Sequence, residues 1–216
     1  MSTAREDLLA AGLAVFDRDG FEGATVAEIR SRARASNGSF FHFFASKKEL
    51  AGTLFLEILQ AYHAAIITSV DETRGAAEGV ARLIHAHLDW VVTSRREARF
   101  LFEISRSELS AEVRGAQRAE NARLADGIER WRAPLLARGE LLPMSAVLFF
   151  SQVIGPAQIF CRAYLSGREH GDPREQVETL IACAIRAVAD VRRRARPRCA
   201  WPRRWSRRNG WPNATA

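Results

Sequence analysis

The stretch that decides the fold runs from residue 25 to residue 50: Thr25-Val-Ala-Glu28-Ile29-Arg30-Ser-Arg32-Ala33-Arg34-Ala35-Ser36-Asn37-Gly38-Ser39-Phe40-Phe41-His42-Phe43-Phe44-Ala-Ser46-Lys47-Lys48-Glu49-Leu50. Thr25 and Glu28 have capping-box spacing, in which each side chain bonds the other residue's backbone amide, so a short helix starts there. Ser36 is placed to cap a second short helix after the tight turn Ala33-Arg34-Ala35. Ser46 and Glu49 repeat the capping-box spacing and open a longer helix reaching about Ser69. Short helix, tight turn, short helix is the arrangement by which a helix-turn-helix lays its second helix in the major groove of DNA.

Charge is compatible with that reading. Between Ile29 and Lys48 stand five bases (Arg30, Arg32, Arg34, Lys47, Lys48) and no acid, while residues 1–50 balance at seven against seven. Cations gathered on one side of a neutral module suit phosphate contacts. They suit equally well a plain helical hairpin with a solvated basic face. Pattern and charge alone leave both readings open.

Helical periodicity extends in both directions. Leu8, Leu9, Gly12, Val15 and Phe16 share one face of a first helix that Asp19-Gly20 ends. Beyond a connector at 71–75, Val80, Leu83, Ile84, His87, Leu88 and Val91 mark a fifth helix, and Phe100, Leu101 and Ile104 a sixth. A long seventh runs from Val113 through Trp131 to a stop near Arg138-Gly139. Residues 145–166 form an apolar eighth helix, bent at Gly155-Pro156 because proline removes a backbone donor. Asp172-Pro173 starts a ninth, with a stripe from Val177 to Val191. No stretch alternates with the period of a strand. The expected fold is all-α, with about nine helices.

Composition bounds the class. The 216 residues are 47% hydrophobic and 26% charged, as in an ordinary globular protein, which excludes a wholly disordered, collagenous or disulfide-scaffold chain. The net charge of +7 points to an anionic partner. Its location qualifies that hint: residues 192–216 hold nine arginines and no acid, and the rest carries 23 basic against 25 acidic residues. Cys161, Cys183 and Cys199 are odd in number and lack C-x-x-C spacing, which reads as thiols in a reducing compartment. The N-terminus has no secretory pattern, and Ala146–Leu165 is too polar for a comfortable membrane span. The expectation is a cytoplasmic protein with no membrane partner.

With these residues in place, the N-terminal segment resembles the TetR family of transcriptional regulators. The resemblance is carried by Leu8-Leu9-x-Ala11-Gly12-x-x-Val15-Phe16, Asp19-Gly20-Phe21, Thr25-Val26-x-x-Ile29 and the run from Ala33 to Leu50. It implies a three-helix DNA-binding module followed by a helical effector-binding and dimerisation bundle. Carried over position by position, Thr25 matches a capping threonine that touches phosphate. Ser36, Asn37, Gly38 and Ser39 match the start of the recognition helix. Asn37, Ser39 and His42 can reach base edges. Lys47 matches a lysine at a phosphate-holding helix start. Three positions depart from the pattern. Phe41 replaces a phosphate-donating tyrosine, Phe43 replaces a residue able to donate, and Arg34 replaces the turn glycine. If Arg34 is left-handed its Cβ costs about 1–2 kcal/mol, and its guanidinium can supply a phosphate contact instead.

The resemblance further implies a homodimer through helices eight and nine, reading a palindromic operator on double-stranded DNA with recognition helices about 34–36 Å apart. The expected division is 1–46 for DNA, 47–191 for effector and dimerisation, and 192–216 as an Arg/Trp/Pro-rich disordered tail. His87, Trp90, Phe100, Asn121, Trp131 and Phe149 are candidates for a cavity taking an unknown small hydrophobic effector; the same residues would serve as core in any bundle. Phe40, Phe41, Phe43 and Phe44 read as packing more readily than as a stacking platform. His85 and His87 are two apart, so on a helix they face different ways and form no zinc pair. No G-x-S-x-G, H-E-x-x-H or phosphate loop is present, so no catalytic residue, cofactor or metal is expected. The competing class is an all-helical enzyme or small-molecule carrier in which the N-terminal module is incidental.

Overall fold

Short-range capping fixes where the first helices start. The computed structural model describes residues 3–70, 75–104 and 111–189. Thr3 opens α1 (Ala4–Gly23) with a capping box to Glu6, and Thr25 opens α2 (Val26–Ala33) with one to Glu28. The Ser36 hydroxyl accepts from the Ser39 amide at 3.0 Å and starts α3 (Asn37–Phe43). Ser46 accepts from the Glu49 amide and starts α4 (Lys47–Thr68). The reciprocal arm of that box is displaced: the Glu49 carboxylate takes the Ala45 amide at 2.6 Å, one residue before the cap.

Gly20 breaks α1 where expected, with φ 71 and ψ 175, and one more turn follows to Gly23. Later come α5 (Ala76–Thr93), α6 (Arg95–Glu103) and α7 (Ala111–Ala137), which carries Pro134 internally and ends before the left-handed Gly139. The eighth expected helix is two, α8 (Ala146–Val153) and α9 (Gly155–Leu165), bent by 45° at Ile154. Pro156 lies in the first turn of α9, where its missing N–H is harmless. The ninth becomes a 3-10 turn, Pro173–Gln176, and α10 (Val177–Val188). Among the described residues the fold is thus all-α with ten α-helices rather than nine, and its only strand-like feature is an isolated bridge between Leu141 and Ala189. The connector at 71–74, Val191, Cys199 and the tail 192–216 lie outside the described residues.

Two apolar cores are built. One joins Leu8, Val15, Phe16, Ile29, Phe40 and Phe44 with Leu50, Leu54, Phe55 and Leu59 of α4 and Phe100 of α6. The other joins Tyr62 and Ile66 of α4 with α5, Trp131, Phe149, Ala157 and α10. The two cores therefore share α4. A 22-residue helix such as α4 is long and apolar enough to cross a bilayer, but here it is half buried against its neighbours, as the shared spine of two cores requires. Its charge is also managed internally: the buried His63 of α4 faces the buried Glu120 of α7 at 3.4 Å, and Arg123 closes on Glu120 at 2.7 Å.

Candidate nucleic-acid interface and inner cavity

The turn between α2 and α3 is formed by Arg34, which has φ 53 and ψ 34. It is the one non-glycine residue with positive φ among those described. The Arg34 and Ala35 amides close α2 on the Ser31 and Arg30 carbonyls at 3.2 and 2.9 Å. This tight reversal sets α3 across the end of α2, with Phe40 fully buried as its anchor and Phe44 buried just beyond. The opposite face of α3 is free: Asn37, Gly38 and His42 are exposed, Ser39 is half-buried, and Phe41 is 52% exposed. Phe40 and Phe44 are therefore core, as expected of packing residues, whereas Phe41 projects from the surface at the tyrosine position.

The basic residues divide by position. Arg32, Arg34 and Lys48 are exposed, and Arg30 is half-buried with its Nε unpartnered. Lys47 requires correction. Its ammonium donates to the carbonyls of Phe21, Ala24 and Glu22 at 2.6, 2.8 and 3.3 Å and lies 4.6 Å from the Phe21 ring centre. An ammonium has three protons, and all three are spent inside the protein. Lys47 thus clasps the end of α1 to the start of α4 instead of standing free for a phosphate. The Thr25 hydroxyl is likewise engaged, donating to Glu28 at 2.7 Å while accepting from its amide.

A second feature is a cavity of about 520 Å³ between α4, the end of α6, α7, α8 and α9. Phe55, Leu59, Tyr62, Leu124 and Ile128 form its buried floor, and Gln117 and Asn121 of α7 add amides. Gln158, Arg162, Val147 and Ser151 stand on the α8–α9 side. Of the six sequence candidates only Asn121 lines it. Trp131 and Phe149 are fully buried in the upper core at a ring separation of 5.9 Å, and Phe100 stacks on Phe16 at 5.5 Å in the lower one. Trp90 packs on Tyr62 at 4.8 Å, behind the wall. An apolar stripe cannot say which of its members face a neighbour and which face a void.

His87 also sits behind the wall. It is fully buried, its Nδ1 is 2.9 Å from the Tyr62 hydroxyl, and its Nε2 has no partner. Burial lowers its pKa to about 4, so the ring is neutral, and burial also lowers the pKa of His63 and pushes the Cys161 thiol up to about 12. His85, in contrast, is exposed on the other side of α5. Sequence reasoning missed Tyr62, His63, Gln117, Gln158 and Arg162. The one signal available for them was helical register: Tyr62 follows Phe55, Leu59 and Ile58 on the inner face of α4.

Residues 8–54 match the model of a family described as bacterial regulatory proteins, tetR family. The HTH-type transcriptional regulator HbdR of Aromatoleum sp. (strain CIB) is 24% identical over 152 residues, 69% of this chain; the match spans 65% of HbdR's own length. A tetR family transcription regulator from Shewanella sp. PV-4 is 25% identical and superposes with a TM-score of 0.69 over 88% of this chain and all of that one. FadR from Bacillus subtilis, solved in complex with stearoyl-CoA, shares the fold alone: 15% identity and a TM-score of 0.69 over 83% of this chain and 96% of that one. The left-handed turn at Arg34 and the exposed face of α3 lie inside the matched segment, and the helices beyond it follow the architecture of these solved regulators: the chain carries the DNA-binding module of the tetR family of bacterial regulatory proteins.

Proposed function

We propose that the protein is a homodimeric transcriptional regulator, a repressor that a small hydrophobic effector releases from a palindromic operator in the bacterial cytoplasm. The observation that carries this reading is the course of α4. Its first residues are clasped to the DNA-binding module through Lys47, and about two to four turns later Phe55, Leu59, Tyr62 and His63 line the cavity. An effector that binds better to one tilt of α4 shifts the population toward a dimer whose recognition helices are wrongly spaced. The division into residues 1–46 for DNA and 47–191 for effector and dimerisation belongs to the same reading.

Asn37 and His42 are the base readers, and Ser36, Gly38 and Ser39 bring the backbone close to the groove. Arg34, with Arg32 and Lys48, supplies cations for phosphates, and Thr25 borders the same strand of DNA. The dimer forms through α8, α9 and α10. In support, Ile159 and Leu148 are 68% and 48% exposed. The complex of FadR with stearoyl-CoA supports a hydrophobic effector.

Selection of operator sites from random DNA, followed by a screen for compounds that release them, tests the reading. A palindromic site is expected. Replacing Asn37 or His42 should shift base preference and weaken the cognate site by about 1–3 kcal/mol. Selection that enriches no sequence would overturn the proposal.

A further inference from the structure

Among the described residues, the cavity wall carries one cation, Arg162, and no carboxylate. Arg162 is exposed and stands at the mouth with Val147 and Ser151, while Leu124, Ile128, Phe55 and Leu59 are buried below. The gradient from charged rim to apolar floor is that of a site for an amphiphile. Within reach of the rim, Gln158 lies one helical turn before Arg162 on α9, and both line the cavity.

Arg162 already holds a neutral acceptor. Its Nη2 donates to the Phe102 carbonyl at 2.9 Å, with the guanidinium carbon 5.9 Å from the Phe102 ring centre. That carbonyl takes one of five N–H groups. Phe102, Leu101 and Ile104, at the end of α6, also line the cavity. The other side of α6 is fastened to the DNA-binding module. Asp17 of α1 faces Arg99 at 3.4 Å and Arg96 at 3.6 Å, and Phe100 stacks on Phe16.

We propose that Arg162 is the head-group receptor of the cavity, so that the effector is an apolar molecule bearing one carboxylate or phosphate. The charged head draws Arg162 off the Phe102 carbonyl, because a charge-assisted bond to an oxyanion is stronger than one to a neutral carbonyl. The end of α6 is thereby released, and the change reaches α1 through Asp17 and Phe16. The proposal rests on the cavity being the effector site and adds the chemistry of its ligand.

The test is calorimetric titration of the full-length protein with decanoate, decyl phosphate, decanol and decyltrimethylammonium, each below its micellar concentration. Decanoate or decyl phosphate should bind at least about tenfold more tightly than decanol, and their ratio says which anion the site prefers. Arg162→Gln should abolish that advantage and leave decanol binding unchanged. Arg162→Lys should restore part of it. Anion and alcohol binding equally to the native protein, or an anion advantage surviving Arg162→Gln, would overturn the proposal. If decanol releases operator DNA as well as decanoate does, the anionic head falls while effector sensing stands. If no amphiphile binds, the cavity reading falls too, and operator selection still tests DNA binding separately.

Discussion

Arg34 is where local strain and proposed function meet, and two substitutions separate them. A side chain with a Cβ in the left-handed region costs about 1–2 kcal/mol, and Arg34 occupies that region with φ 53 and ψ 34. Glycine removes the clash but loosens the unfolded chain, which takes back about 0.4–1 kcal/mol. Arg34→Gly should therefore stabilise the fold by about 1 kcal/mol. For a chain of this size that raises Tm by about 2–4 °C. The turn hydrogen bonds involve only backbone atoms and survive in either variant. Arg34→Ala keeps the strain and loses the guanidinium, so it should gain nothing in stability. Both variants should lower the salt slope of operator binding by about 0.9, the loss of one phosphate contact. Urea denaturation and operator titrations at several salt concentrations give both quantities. If alanine stabilises as much as glycine, Cβ strain is not the cause; if neither variant changes the slope, Arg34 does not touch phosphate.

Other expectations follow from the same geometry. Phe41→Tyr puts a hydroxyl on an exposed ring and should tighten operator binding several-fold, about 1 kcal/mol, without altering the denaturation midpoint; unchanged affinity would separate this chain from the phosphate pattern that the tetR resemblance suggests. Lys47→Met should destabilise the protein by about 1–3 kcal/mol, because three carbonyls lose a charged donor; a variant as stable as the parent would refute the clasp. Gly79→Ala places a Cβ 2.1 Å from an atom of the fully buried Trp131 ring, so thermal unfolding should show a loss of about 1–3 kcal/mol. His87 is held at about 4 against 6.5 when exposed, so the unfolded chain takes up the proton first as pH falls. Its share of stability is present above pH 6.5 and is lost, to the extent of about 3 kcal/mol, as pH drops toward 4. His63 shifts in the same direction, so His87→Gln should flatten that pH dependence in urea midpoints without abolishing it; an unaltered slope would refute the assignment.

The sequence by itself determined the helices and the module that meets DNA, because both rest on interactions a few residues apart. Thr25 with Glu28, Ser36 with Ser39 and the break at Gly20 are local bonds or local torsions, legible from spacing. The left-handed state of Arg34 was only a condition attached to the resemblance, and the structure supplies it with φ 53 and ψ 34. Tertiary structure decided what depends on partners far along the chain. Lys47 meets carbonyls some 25 residues earlier, which turns an apparent phosphate ligand into a clasp. Trp131, Phe149 and Phe100 share an apolar character with Phe55 and Leu59, yet only the last two face the cavity. Periodicity records that a side chain points inward; whether it meets another side chain or an empty space is set by how helices cross. The charge excess carries the same lesson, because it lies in residues 192–216, whereas the exposed cations Arg32, Arg34 and Lys48 sit in a module of balanced charge.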